Sequence, residues 1–288
     1  MRLAAKRHGI GEHLGSASID IDTTLRYPEG SFEVVRLGEG DPLVLIPGLA
    51  GGPRLLVPLA RRLAMRRQVI IIGLRGDSHP LASKRTHDIT DHARDVARII
   101  ESLELHRPEI FGVSFGGAVA LELAIERPDL VRSLTLQGAD SSFPENVGVW
   151  FARRALERFP LPSNNAFVNQ FFNLLHGGKP DERTKPTLDF LVRSCWSTDQ
   201  SEIAHRLRIL NEYDVSDRLW RIDAPTLVLA GTKDVVVAPR RQKRLANAVP
   251  LGLYQPIEGA GHIAFLTHSR QVARAVLGRD LEPSRVSV

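Results

Sequence analysis

The strongest constraint on the fold is a rhythm. Between Phe32 and Leu136, short runs that are apolar at nearly every position alternate with segments whose apolar residues recur at helical spacing. Leu43-Val44-Leu45-Ile46 is one such run, closed off by Asp41-Pro42 and Pro47-Gly48. A helix is expected from near Pro58 over Leu59 to Met65, followed by a buried strand from Val69 to Ile72. Ala93, Val96, Ala97, Ile100 and Leu103 fall on one helical face. Glu109 to Val113 reads as a strand, Ala118 to Glu126 as a helix that stops before Pro128, and Val131 to Leu136 as a strand again. A strand apolar on both faces needs cover on both faces, and intervening helices make its neighbours parallel. The expected fold class is α/β, a mostly parallel twisted sheet flanked by helices.

The rhythm breaks after Ser141. Up to Arg221 the chain shows helical stretches and a large share of its aromatics, among them Trp150, Phe151, Phe159, Phe167, Phe171, Phe172 and Trp196, but no convincing strand pattern. It resumes at Thr226-Leu227-Val228-Leu229-Ala230, then a helix from Arg240 to Ala248, a strand near Leu253 to Ile257 and a helix near Gln271 to Leu277. The expected domains are a loose tail over 1–17, a core made of 18–140 and 222–288, and a helical cap over 141–221. An insertion of about eighty residues is long enough to be a functional lid rather than slack.

Composition narrows the class further. The chain has 288 residues, with 25% charged and 43% hydrophobic, so one large core needs no staples. Its single cysteine, Cys195, excludes an intrachain disulfide and points to a cytoplasmic setting. The basic balance, a formal +5, comes from arginine pairs such as Arg61-Arg62, Arg66-Arg67, Arg153-Arg154 and Arg240-Arg241 in helical segments. They read as solvated faces, with no nucleic-acid motif among them. The basic start of the chain has no apolar run behind it, and no stretch is long enough to span a bilayer. The expected partner is a small-molecule substrate, with no nucleic acid and no membrane span.

The chemistry gathers at three points. Gly112-Val113-Ser114-Phe115-Gly116 fits G-x-S-x-G, and its context is the required one, a strand running straight into a helix. The serine sits there on a sharp turn, and the flanking glycines relieve crowding. Such a serine needs a base, and Gly259-Ala260-Gly261-His262 places a histidine on a small-residue loop with no packing purpose. His87, His92, His176 and His205, in helical or polar stretches, are expected to face solvent. The base needs an orienting acid. Asp234 follows the strand ending at Ala230, while its rival Asp140 follows the preceding strand; Asp234 is preferred because its strand is nearer the histidine loop in chain order.

With the order serine, aspartate, histidine, the chain resembles the α/β-hydrolase superfamily from about Phe32 to Leu277. Ile222-Asp223-Ala224-Pro225-Thr226-Leu227-Val228-Leu229, leading to Gly231 and Asp234, is similar to the family's strand before the acid. Pro47-Gly48-Leu49 resembles its loop after strand three. The resemblance implies Ser114 as nucleophile, His262 as base, Asp234 as acid, and the backbone N–H groups of Leu49 and Phe115 as oxyanion hole, with Gly48, Leu49 and Phe115 lining the substrate site. One such donor contributes roughly 2.7–4 kcal/mol in the transition state. Pro47 stands where the family carries a supporting histidine, and Gly73-Leu74-Arg75-Gly76-Asp77-Ser78 matches the family's Asp-x-Arg-Gly-x-Gly segment only in part.

No cofactor and no metal is expected: H-E-x-x-H and the phosphate-binding G-x-x-x-x-G-K-[ST] are absent, and Cys195 reads as a small buried hydrophobe. An aspartate nucleophile is excluded by Ser114. Three functions remain open. One is hydrolysis of a small apolar ester, thioester or lactone. Another is acyl transfer or carbon–carbon bond hydrolysis on the same residues, and the last is ligand binding without catalysis.

Overall fold

A computed structural model describes residues 23–27, 30–77, 87–144, 153–154, 166–182 and 184–278. The expected tail over 1–17 lies outside them, as do Trp150, Phe151 and Phe159.

The apolar runs form the sheet the rhythm predicts. Strands β1 (Thr23–Tyr27), β2 (Gly30–Leu37), β3 (Pro42–Ile46), β4 (Gln68–Ile72), β5 (Glu109–Val113), β6 (Ser133–Gln137), β7 (Thr226–Gly231) and β8 (Gly252–Ile257) lie in the order β1-β2-β4-β3-β5-β6-β7-β8. From β4 to β8 every pairing is parallel, whereas β1–β2 and β2–β4 are antiparallel. The sequence rhythm, read from Phe32 onward, did not include that antiparallel hairpin. Thr23–Tyr27 mixes polar and apolar residues as an edge strand does, without the continuous run that marks a central one.

Helices α1 (Val57–Leu63), α2 (Ile89–Ser102), α3 (Phe115–Glu126), α7 (Pro239–Ala248), α8 (Ala264–Thr267) and α9 (Ser269–Gly278) flank the sheet, while α4 (Ala166–His176), α5 (Lys185–Cys195) and α6 (Gln200–Glu212) fall between β6 and β7. Two apolar layers result. On one face Val44, Ile46, Ile70, Ile72 and Ile110 meet α2 and α3; on the other Leu43, Leu45, Val69, Ile71 and Phe111 meet α1, α8 and α9. Alternate residues of one strand serve opposite layers, which is why these strands read as unbroken apolar runs. α3 starts at Phe115, three residues before the expected Ala118, so the serine stands at its N-cap position without a side-chain capping bond.

The helical excursion is pinned where it leaves and returns. Ser142 pairs with Asp214 as an antiparallel bridge, Val215 N–H donates to the Ser141 carbonyl at 3.0 Å, and the Ser141 and Ser216 hydroxyls lie 2.8 Å apart. Phe172, Leu188 and Leu191 of α4 and α5 join the second core layer, with Trp196 packed against it. Among the described residues no helix is long and apolar enough to cross a membrane.

Candidate active site

The carboxyl ends of β5, β7 and β8 each deliver one side chain. Ser114 ends β5 with φ 51° and ψ −114°, a left-handed backbone that costs a non-glycine residue about 1–3 kcal/mol. The turn is fixed from below, since Ser114 N–H donates to the Gln137 carbonyl of β6 at 2.9 Å. Gly116 makes the turn sterically possible: a Cβ there would stand 2.3 Å from the Pro47 carbonyl oxygen and 2.4 Å from that of Ile46.

Ser114 Oγ lies 3.0 Å from His262 Nε2, and His262 Nδ1 lies 2.9 Å from Asp234 Oδ2. Ser114 is half-buried, while His262 and Asp234 are buried. Asp234 Oδ1 accepts the N–H groups of Val236 and Val237, both at 2.9 Å, and Oδ2 also accepts Gln242 Nε2 at 3.1 Å. A carboxylate so held cannot rotate away from the imidazole. Accepting the Nδ1 proton leaves Nε2 as the basic nitrogen facing the serine, the arrangement by which an imidazole removes a hydroxyl proton. The rival Asp140 is engaged elsewhere, accepting from Arg241 Nε and from Ser141 N–H.

Two glutamines escaped the sequence reading. Gln137, the last residue of β6, donates from Nε2 to the His262 carbonyl at 2.9 Å and accepts Phe265 N–H at 3.3 Å. Gln242 on α7 donates to Asp234 and to the Val237 carbonyl and accepts Gly138 N–H at 3.1 Å. Gly138 has φ +66°, and a Cβ there would sit 2.9 Å from the imidazole Cε1.

Three expectations need correcting. His87, His92 and His205 do not face solvent; all three are buried. His92 belongs to the stripe Ile89, His92, Val96 and Ile99, a spacing that marks the inner face of α2. His205 shares a buried face of α6 with Glu202, Arg206 and Ile209. His176 alone of the four is half-buried. Next, the Phe115 ring is no pocket wall: it is fully buried, edge-on to His92 at 5.2 Å, so only its backbone faces the elbow. Cys195, expected to be buried, is half-buried as a whole residue, but its thiol is buried against the second core layer, and that burial pushes it up to about 12.

These histidines belong to a buried polar cluster under the loop after β3. His87 Nε2 lies 3.3 Å from Glu202 Oε1, and His205 Nε2 lies 3.0 Å from the His87 carbonyl. Burial pushes the Glu202 carboxyl up, but the bond from His87 and the Arg206 charge outweigh it and bring it down to about 2. Burial and the charge of His87 take His205 down to about 4. Burial, with Arg206 next, holds His92 well below its usual value. Ligand atoms of His87, His92 and Glu202 lie within 4.8 Å of one another, spacing a metal ion could bridge, but Arg206 Nε already approaches the same Glu202 oxygen at 3.3 Å. A guanidinium there already pairs with the negative charge that the carboxylate would otherwise offer to an ion.

A sharp strand–turn–helix carrying a serine, with an aspartate and a histidine on the loops after the last two strands of a parallel sheet, defines the class. The chain belongs to the α/β hydrolase fold family, which it matches over residues 41–269, and it is an enzyme of that family. Among curated relatives it is 28% identical to RutD of Pseudomonas syringae pv. syringae, a protein named for carbamate hydrolysis, over 85% of this chain and 95% of that one. It is 29% identical to the polyketide synthase ThaQ of Burkholderia thailandensis over 88% of this chain, which spans only 12% of ThaQ. Among solved structures it resembles an esterase from Exiguobacterium antarcticum, with a TM-score of 0.80, 20% identity, and 90% of this chain and 99% of that one covered. The last likeness is one of fold.

Proposed function

We propose that the chain hydrolyses a small, apolar carboxylic ester, thioester or lactone through an acyl-enzyme on Ser114. The observation that carries this reading is the unbroken hydrogen-bond path from Ser114 Oγ through His262 to Asp234. Ser114 Oγ attacks the carbonyl carbon while His262 Nε2 takes its proton, and the oxyanion rests on the N–H groups of Leu49 and Phe115. The tetrahedral species collapses as His262 returns the proton to the leaving oxygen or sulfur. Water then repeats the sequence on the acyl-enzyme, with His262 again as base. Residues 141–221 serve as the cap, and Gly48 and Leu49 border the substrate.

An uncharged acyl group fits the charge balance. Two arginines bonded to the site's own segments, Arg206 and Arg241, are already paired with Asp77 and Glu202 and with Asp140. The test is covalent labelling by a fluorophosphonate, with turnover of p-nitrophenyl butyrate against a succinyl ester and an aryl carbamate, the last suggested by the name of RutD. Ser114→Ala should lose the label and nearly all turnover, and the butyryl ester should have the highest kcat/KM. Labelling that persists in Ser114→Ala overturns the nucleophile. Preference for the succinyl ester overturns the apolar acyl site, and preference for the carbamate moves the substrate class.

A further inference from the structure

Arg206 of α6 takes no part in the reaction just described, yet it has no exposed surface and its whole fork is bonded. Nη1 donates to the Leu49 carbonyl at 3.0 Å and to Asp77 Oδ1 at 2.8 Å, Nη2 to the Arg75 carbonyl at 2.7 Å, and Nε to Glu202 Oε1 at 3.3 Å. Just ahead of α6, buried Thr198 accepts Gly51 N–H on its hydroxyl at 2.9 Å. Both side chains come from the helical excursion, and both hold the loop after β3.

That loop needs holding. From Pro47 to Gly52 it has no helix or strand ladder, so its peptide planes point where their partners direct them. Pro47 has no side-chain donor and no N–H, so it cannot brace the loop from within. Among the described residues, Arg206 and Thr198 are the side chains hydrogen-bonded to it. Fixing the Leu49 carbonyl anchors the Leu49–Ala50 peptide plane, and Thr198 holds Gly51 N–H beyond it, so the Leu49 amide is left with only the φ and ψ rotations of Leu49 to change its direction.

We propose that Arg206, assisted by Thr198, is a positioning residue for the Leu49 oxyanion donor, so that docking of the helical excursion assembles the hole. The inference rests on the acyl-enzyme reading and deepens it. A planar fork with four acceptors is needed, and a lysine ammonium cannot reproduce it. Because the oxyanion exists only during reaction, a misplaced donor lowers kcat and leaves ground-state binding alone.

The experiment compares wild type with Arg206→Met, Arg206→Lys and Thr198→Val, using p-nitrophenyl butyrate kinetics and the inhibition constant of phenylboronic acid, whose tetrahedral adduct on Ser114 places an oxygen in the hole. Folding is followed by circular dichroism. Arg206→Met should lose about 10²-fold in kcat, as for a removed donor, with KM within about threefold and boronate binding weakened. Arg206→Lys should lie between it and wild type, and Thr198→Val should move the same way by a smaller factor. Folded variants with unchanged kcat and boronate affinity, or with only KM raised, overturn the inference. Should Arg206→Met not fold, Thr198→Val decides. A wild type that neither labels at Ser114 nor binds the boronate overturns the hydrolase reading itself. One that does both while its variants match it overturns the positioning role alone.

Discussion

At the scale of single residues, the site turns on one question of geometry: which carboxylate meets the imidazole. Asp234 Oδ2 faces His262 Nδ1 at 2.9 Å, while Asp140 is held by Arg241. Asp234→Asn should keep the fold and lower kcat by up to about 10⁴-fold, because an amide can hold the imidazole in the wrong tautomer. Asp140→Asn should do far less, and steady-state kinetics of the two variants settles the choice; a reversed result would move the acid to β6. Ser114, Asp234 and His262 were legible in sequence because each sits on a short local signal, a glycine-flanked turn or a loop closing a strand. Gln137 and Gln242 were not, since a glutamine's worth here depends on strands and helices brought together only by the fold. His92 was legible in principle, one helical turn from Ile89 and Val96, but its polarity masked the spacing.

At the scale of elements, the junction of β3, β5 and α3 is the tightest point. Gly116→Ala would drive a methyl carbon to 2.3 Å from the Pro47 carbonyl oxygen, and backbone on both sides leaves no flexible atom to yield. α3 would have to tilt away from β3, exposing part of the layer formed by Ala118, Val119 and Leu121. We expect poor soluble yield or a thermal midpoint lowered by several degrees, in the range of about 1–3 kcal/mol for overpacking. A variant with wild-type melting would show that the junction has slack. The central parallel strands, β3 to β7, were readable because both their faces are buried. The β1–β2 hairpin was not, because an edge strand satisfies only one neighbour and tolerates polar residues. Helices α4, α5 and α6 were expected as helical, but the charged residues of α6 concealed that Glu202, His205 and Arg206 point inward.

At the scale of the whole molecule, burying so many ionisable groups couples stability to pH. His205 in the folded chain lies at about 4 and His92 well below its usual value, so the unfolded chain, near ~6.5, takes up those protons first. The His205 contribution is intact above about pH 6.5 and is lost as pH falls towards about 4, and that of His92 is lost in the same direction. Glu202, at about 2 when folded, adds a second window of loss from its unfolded value near ~4.3 downward. The urea midpoint should therefore fall steadily from pH 7 to pH 4, and His205→Gln, which keeps a donor for the His87 carbonyl, should flatten that slope. An unchanged slope would show that the loss arises from other groups.

The helical excursion departs and returns through a single gate, where Ser141 and Ser142 meet Val215, Ser216 and Asp214. The spacing of β6 and β7 is thereby independent of how much chain lies beyond the gate, and lengthening a loop costs only about 0.6 kcal/mol per doubling. Insertions, deletions or wholesale exchange of the helices can accumulate over descent without shifting a strand by one register. On the function proposed above, chemistry is inherited with the sheet and selectivity with the excursion. The exception is Arg206, which ties one to the other, so a replaced excursion must either keep an arginine at that place or find another brace for the loop that holds Leu49.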